Sequence, residues 1–192
     1  MILVTTSHKP SARTRSFVKD LVSVIPFSRR TNRGHKTLAE LALETKRSGF
    51  SYLVLVREKR GNPGAIDFYE VLGNRLHPET RLVARVVLGG ITLSRENPLA
   101  SRAYGAKSVN IDFSQCISDD CFFLADLLLK VLGSVVSDNY DLKLVLEEEK
   151  YIVLKCLNVH GALVGPVLKI ARVFRGEELA KGQSNLQSRS AL

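Results

Sequence analysis

Four cationic side chains lie close together in the segment 28–36, just before a predicted helix. They are Arg29, Arg30, Arg33 and Lys36, with Asn32 and Gly34 among them. A helix N-terminus already carries a partial positive charge and backbone N–H groups without partners. Adding cations there is unfavourable for the free protein, whereas arginine and a helix N-terminus together suit a phosphate group. The segment therefore predicts contact with a phosphate-bearing anion.

Two more polar and basic clusters follow predicted strands. The cluster at 5–15 comprises Thr5, Thr6, Ser7, His8, Lys9, Arg13 and Arg15, and the cluster at 57–60 comprises Arg57, Lys59 and Arg60. In an open α/β sheet, the carboxyl ends of neighbouring strands and the helix starts lie along one edge. We therefore expect the segments 28–36 and 57–60 to share that edge and to form one basic surface.

A purely structural explanation of the segment 28–36 is also open. Its long side chains could extend into water or pair with Glu40 and Glu44. Exposed ion pairs contribute little stability, and only these two acidic residues lie close by in the sequence. The two explanations differ in whether the cations remain unpaired in the fold.

The basic surface suits a nucleic acid backbone better than a small phosphate ligand. Neither GxxxxGK[ST] nor GxGxxG occurs, and no acidic residue is placed to hold magnesium beside the surface. Zinc-finger, leucine-zipper and RNA-recognition patterns are absent as well. We expect RNA as the partner, with no small-molecule substrate and no cofactor. The candidate RNA-binding residues are Thr5, Thr6, Ser7, His8, Lys9, Arg13, Arg15, Arg29, Arg30, Asn32, Arg33, Gly34, Lys36, Arg57, Lys59 and Arg60.

Catalysis and metal binding have little support in the sequence. Two of the four histidines lie inside the basic segments. Cys116 and Cys121 are separated by four residues, and Cys156 with His160 could add ligands, but this spacing matches no zinc motif. We expect no catalytic residue and no metal. The three cysteines are expected to be buried and unpaired, in a reducing compartment.

The elements that must position the basic residues follow from hydrophobic spacing. Residues 2–6 predict a buried strand, and Ser11 predicts the N-cap of a helix that Pro26 ends. Thr37 and Glu40 have capping-box spacing at the start of a second helix, which stops near Gly49. Three strands are predicted next, at 52–56, 66–72 and 81–93, the first of them covered on both faces.

A second set of similar elements follows a loop at 94–108. A strand at 109–113 precedes an apolar helix that Asp119 and Asp120 are expected to cap and that runs to about Val136. Three more strands are predicted, at 142–147, 151–159 and 167–174. We therefore predict a mixed α/β domain over 1–176 with two similar halves, about 1–95 and 106–176. Residues 177–192 are expected to form a flexible tail.

Composition agrees with a folded protein that binds an anion. The chain has 192 residues, is 45% hydrophobic and carries a formal net charge of +9. Residues 1–110 hold 19 basic and 8 acidic side chains, while 111–192 hold 9 and 11. The longest apolar stretch, at 121–136, is interrupted by Asp126 and Lys130, and the start shows no signal-peptide pattern. We expect a soluble protein, without a membrane partner, whose basic surface belongs to the N-terminal half.

The motifs of the first 75 residues carry a family resemblance. They are Thr5-Thr6-Ser7 at the end of the first strand, Arg30-x-Asn32-Arg33-Gly34 before the second helix, and the basic turn Arg60-Gly61. This succession resembles the opening of the Brix domain, and within that family it is most similar to the archaeal Imp4-like members. The acidic, Tyr-containing segment 147–155 is similar to the family's entry into a late strand.

The resemblance implies a fold of two similar halves akin to anticodon-binding domains. It also implies a ribosome biogenesis factor that binds rRNA or pre-rRNA, acts in pre-rRNA processing and small-subunit assembly, and contacts other assembly proteins. The implied form is compact, archaeal and cytoplasmic, or nucleolar in a eukaryote. A second hypothesis is a protein–protein adaptor in a ribonucleoprotein, with only incidental RNA contact. The two differ in whether RNA affinity falls steeply with salt.

Overall fold

The structure, a computed structural model, describes residues 1–101, 103 and 105–180. In these residues nine strands form one mixed sheet in the order β2-β1-β3-β4-β5-β9-β8-β7-β6. The N-terminal elements are β1 (Ile2–Thr6), α1 (Ala12–Val24), β2 (Ser28–Arg30), α2 (Leu38–Arg47), β3 (Tyr52–Lys59), β4 (Asn62–Gly73) and β5 (Pro78–Thr92). The C-terminal elements are β6 (Val109–Gln115), α3 (Asp119–Leu132), β7 (Leu142–Glu148), β8 (Ile152–Asn158) and β9 (Leu163–Arg175).

Apart from β2, which has no counterpart in the second set, the two sets of elements share one strand order. In the first set β1 is parallel to β3, and β4 and β5 follow as antiparallel strands. In the second set β6 is parallel to β7, and β8 and β9 follow in the same way. Antiparallel pairing of β5 with β9 joins the sets into one sheet. The predicted fold class is confirmed, whereas the domain limits stay predictions. Residues 176–180 are helical, and the rest of the expected tail lies outside the described residues.

Alternation along the strands builds a hydrophobic core on each face of the sheet. Ile2 and Val54 point to the face covered by α1 and α3, where Phe17 of α1 is fully buried. Leu3 and Leu53 point to the other face, where they pack with Leu41 of α2. Both cores include residues of β3, so this strand is covered on both faces, as its unbroken apolar run predicts.

Local signals place the starts of α1 and α2 correctly. Ser11 is the N-cap of α1, and its side chain accepts a hydrogen bond from the Thr14 backbone N–H. Thr37 and Glu40 form the predicted capping box of α2. The prediction for α3 is wrong in its cap, because the Ser118 side chain accepts the bond from the Cys121 N–H. The α-helix also ends earlier than predicted, at Leu132, where a short 3-10 turn follows (Gly133–Val135).

The expectation of three unpaired cysteines is wrong. Cys116 and Cys121 form a disulfide, because the turn between β6 and α3 brings their Cα atoms to 5.4 Å. Cys156 is free and buried on β8, and burial raises the pKa of its thiol to about 12.

Among the described residues no group of three or more His, Cys, Asp or Glu side chains is placed to hold a metal ion. In the same part of the chain, no helix is both long and apolar enough to cross a bilayer.

Candidate nucleic-acid interface

The carboxyl ends of β1, β2 and β3 meet at one edge of the sheet. Val4 of β1 lies opposite Arg30 of the parallel strand β2, and Thr6 lies opposite Val56 of β3. The pairing of β1 with β3 continues one residue beyond β1, since the Ser7 N–H donates to the Val56 carbonyl over 2.8 Å. The three basic segments therefore lie along one edge. The prediction placed only the segments 28–36 and 57–60 there, and the structure adds the segment 5–15. The sequence missed β2 itself, which is only three residues long and has no apolar alternation.

The hydroxyl residues of the first segment hold the loops of this edge in place. Thr5 and Thr6 are buried, and the Thr5 hydroxyl donates to the Thr31 carbonyl over 3.0 Å. The Ser7 hydroxyl accepts a hydrogen bond from the Glu58 N–H at 3.3 Å. The Thr5 and Ser7 side chains therefore position the basic segments, and the Thr5 side chain does not reach solvent.

Both helix starts at this edge are already neutralised by carboxylates of the chain. At α1 the Glu58 carboxylate accepts hydrogen bonds from the Ser11 N–H and the Thr14 hydroxyl, each at 2.7 Å. The Ser11 backbone bond is the largest influence on Glu58 and lowers the pKa of its carboxyl. At α2 the Glu40 carboxylate accepts from the Thr37 N–H at 2.7 Å. Part of each helix start is thus satisfied within the chain, and phosphate contact by the segment 28–36 stays a prediction.

Ion pairs divide the candidate cations into two sets. Four of them have acidic partners: Arg13 with Glu96, Arg29 and Lys36 with Glu44, and Arg57 with Asp67. Pairing with Glu44 is the structural alternative that the sequence left open, and it holds for two residues of the segment 28–36. The other six have no ion pair within the described residues. We call these six the basic edge: Lys9, Arg15, Arg30, Arg33, Lys59 and Arg60.

Arg57 belongs to a buried charge cluster that the sequence did not reveal. Asp67 on β4 is fully buried, and its carboxylate accepts hydrogen bonds from Arg57 Nε and from Arg85 Nε and Nη2. Tyr69 also donates its hydroxyl to this carboxylate, at 3.4 Å. The Asp67 contact raises the pKa of the Arg85 guanidinium. Arg57 therefore contributes to the fold as well as to the charge of the edge.

A cleft opens between the start of α1 and the loop that follows β2. Its volume is about 250 Å³, and no acidic side chain is among the described residues that line it. The lining residues include Arg15, Arg30, Asn32, Arg33 and Gly34. Arg33 Nε and Nη1 are buried without a hydrogen-bond partner, and burial lowers the pKa of this guanidinium. A buried donor without a partner costs free energy, so the Arg33 guanidinium favours an acceptor group to which it can donate.

Two cations of the basic edge occupy strained backbone positions. Lys9 has φ +48° and Arg60 has φ +51°, in the left-handed region that side chains other than Gly rarely adopt. Arg60 and Gly61 form the two-residue turn between Lys59 of β3 and Asn62 of β4. Such turns favour Asn or Asp before Gly, and a left-handed residue with a Cβ costs about 1–2 kcal/mol. Arginine is thus present at a position where the fold alone would favour another residue.

Comparison with known proteins agrees with the fold and the motifs. A curated "Probable Brix domain-containing ribosomal biogenesis protein" from Aeropyrum pernix is 45% identical over 93 residues, which are 48% of this chain and 50% of that protein. The crystal structure of a probable ribosomal biogenesis protein from Aeropyrum pernix K1 is 34% identical, with TM-score 0.73, over 89% of this chain and 95% of that one. The chain belongs to the Brix family of ribosomal biogenesis proteins.

Other relatives extend the match over the whole domain. A Brix-family protein of Methanococcus maripaludis is 28% identical over 179 residues, which are 90% of this chain and 96% of that protein. The structure of Mil, described as an archaeal Imp4-like protein, shares the fold with TM-score 0.66 at 22% identity. In the curated Brix relatives from Aeropyrum pernix and Pyrococcus horikoshii, by contrast, the matched segment spans only about half of the relative's length. A comparison with protein-family models found no match.

Proposed function

We propose that this Brix-family protein binds rRNA or precursor rRNA through the basic edge. It acts as a non-catalytic factor in pre-rRNA processing and small-subunit assembly, where ribosomes are made: in the cytoplasm, or in the nucleolus of a eukaryote. The observation that carries the proposal is the group of six cations, without ion pairs in the described residues, along one edge of the sheet. Phosphate contacts of this kind dominate nucleic-acid affinity.

An extended backbone fits these cations better than a single small anion does. The six residues come from three different parts of the chain: the loop before α1 with its first turn, the end of β2 with the loop after it, and the end of β3 with the turn that follows. The turns that carry Lys9 and Arg60 are exposed, and the cleft beside Arg33 is open to solvent. Successive phosphates of one RNA strand can therefore each contact a different cation of the basic edge. Exposed His8, Asn32 and Gly34 complete the contact surface.

Neutralising part of the basic edge tests the proposal. The variant combines Arg15→Gln, Arg30→Gln and Lys59→Gln, three exposed cations without ion pairs among the described residues. Its affinity for a labelled single-stranded fragment of precursor rRNA is measured by fluorescence anisotropy across a salt series. If each residue meets one phosphate, the slope of log affinity against log salt becomes shallower by about 2, since each contact on a single strand contributes about 0.7.

A matched variant separates this surface from the net charge of the protein. Arg47→Gln, Arg75→Gln and Lys107→Gln remove the same charge from exposed positions outside the basic edge. We expect this control to keep the salt slope of the original protein. Equal loss in both triple variants would refute the assignment to the basic edge. Weak, salt-insensitive binding by the unmodified protein would instead favour the adaptor hypothesis.

A further inference from the structure

The end of β6, the turn that follows it and the start of α3 display three large apolar side chains to solvent. Phe113 is 38% exposed, Ile117 77% and Phe122 45%. The turn is fixed from several sides, since the Cys116 N–H donates to the Phe113 carbonyl at 3.0 Å and the disulfide joins Cys116 to Cys121. The bridged cysteines are the sequence neighbours of Ile117 and Phe122. These apolar groups therefore lie on a rigid support. We call Phe113, Ile117 and Phe122, together with the aspartates of the same segment described next, the acidic corner.

Every charge in this part of the chain is negative. Residues 108–129 contain four Asp and no Lys, Arg or His. Asp112 pairs with Lys143, whereas Asp119, Asp120 and Asp126 have no ion pair within the described residues. Asp119 and Asp120 lie in the first turn of α3, where they favour the helix dipole. Asp126 lies two turns further along and has no such role.

The corner also lies beside an open edge of the sheet. β6 is the last strand of the sheet and pairs only with β7 in the described part of the chain, apart from a single bridge between Val109 and Val136 at its start. Beyond that bridge, the outer side of β6 has no strand partner among the described residues. Unpaired strand edges are templates for the addition of another strand.

We propose that the acidic corner binds an extended segment of a partner protein that alternates apolar and basic residues. The segment adds to the outer edge of β6 by backbone hydrogen bonds. Its apolar side chains cover Phe113, Ile117 and Phe122, and its Lys or Arg side chains meet the free aspartates. Charge complementarity selects this occupant, because the three aspartates without ion pairs repel an RNA backbone and attract a basic segment. Of the cations nearby, Lys143 is paired with Asp112 and Arg175 lies over the ring of Phe123. The net +9 of the chain disfavours basic segments elsewhere.

A synthetic peptide tests the site on the full chain. The peptide alternates valine and lysine over about eight residues, the length of an ordinary strand. One comparison peptide has glutamate in place of lysine, and another has proline in place of alternate valines, which removes backbone donors. We expect only the unmodified peptide to bind, with NMR shifts confined to the amides of β6 and of residues 116–122. A longer precursor rRNA fragment at saturation is expected to leave the peptide bound.

Two variants and a control connect the binding to the named residues. The combination Asp119→Asn, Asp120→Asn and Asp126→Asn is expected to weaken peptide binding about tenfold, the size expected for lost charge complementarity. Ile117→Ser with Phe122→Ser weakens it as well. The control, Glu79→Gln with Asp138→Asn and Glu177→Gln, removes as much negative charge from exposed positions elsewhere. Thermal unfolding verifies that each variant is folded.

Several results would overturn the proposal. They are absence of peptide binding, shifts that map away from the corner, equal binding of the glutamate peptide, and equal losses in the aspartate and control variants. A molecular mass in solution that doubles, and that returns to the monomer value with Ile117→Ser and Phe122→Ser, would identify a second copy of the chain as the occupant and would refute the heterologous segment.

Discussion

Arg60→Asn is expected to stabilise the protein while it weakens RNA binding. Arg60 has φ +51° and precedes Gly61 in the two-residue turn between β3 and β4. Asparagine adopts this backbone region readily and is the residue that such turns favour before glycine. The side chain of Arg60 is exposed and has no acidic partner among the described residues, so its removal breaks no ion pair. The substitution therefore separates the contribution of the turn from that of the charge.

The size of each effect follows from this geometry. Relief of the left-handed strain contributes up to about 1 kcal/mol, part of the cost for a residue with a Cβ. In a chain of this length, such a gain raises Tm by about 2–4 °C. Loss of one phosphate contact reduces the salt slope by about 0.7. A hydrogen bond to a charged group is worth about 1.5 kcal/mol at an exposed site, which corresponds to about a tenfold loss of affinity.

Calorimetry and fluorescence anisotropy on the same preparation measure the two effects. Arg75→Asn is the control, because Arg75 lies in the exposed connection between β4 and β5, at the opposite end of these strands. We expect Arg75→Asn to leave the RNA affinity and its salt slope close to those of the original protein. If Arg60→Asn lowers Tm, the strain argument fails. If its RNA affinity equals that of Arg75→Asn, Arg60 contacts no phosphate.

Three further predictions concern carboxylates near the basic edge. Asp67→Ala leaves two arginine guanidinium groups without their buried partner, so urea unfolding should show a loss of about 3–5 kcal/mol. A similar loss in Asp67→Asn, which keeps the shape but not the charge, would identify the charge as the cause, and a much smaller loss would contradict it. Glu58 has a lowered pKa in the fold, so its stabilisation is present above the pKa of the unfolded chain and is lost as pH falls through the folded value. Glu58→Gln should flatten the fall of Tm in this acidic range, and an unchanged pH profile would contradict this role. Glu44→Gln releases Arg29 and Lys36 and should increase RNA affinity at low salt, an effect that anisotropy would fail to show if neither cation can reach the RNA.

Local spacing was enough to predict the elements that support the site. The Ser11 cap and the Thr37–Glu40 capping box depend on residues three positions apart, and the structure contains both. The unbroken apolar run of β3 likewise predicts a strand buried on both faces, because its neighbours must cover each side. The common edge then follows from parallel pairing of β1 with β3. These inferences need only the period of a helix or a strand.

The distribution of charge could not be predicted in the same way, because it depends on contacts between distant residues. Glu58 neutralises the start of α1 although it lies 47 residues after Ser11 in the sequence. Arg13 likewise pairs with Glu96, which lies 83 residues further along the chain. The segment 28–36 looked like a cluster of four free cations, but Glu44 takes two of them. What sequence spacing cannot show is which cations lack a partner. That is the property on which the basic edge depends.

Charge is distributed unevenly along the chain, and the fold places its basic and acidic parts on two separate surfaces of one sheet. The basic edge lies at the carboxyl ends of β1, β2 and β3, and the acidic corner lies at the carboxyl end of β6, the last strand of the other half. Because β5 and β9 join the halves edge to edge, four strands of the sheet order lie between β3 and β7. A bound RNA strand and a bound basic segment would therefore not compete for the same groups. Their opposite charges would attract each other in solution, and separation on one sheet allows the protein to hold both at once.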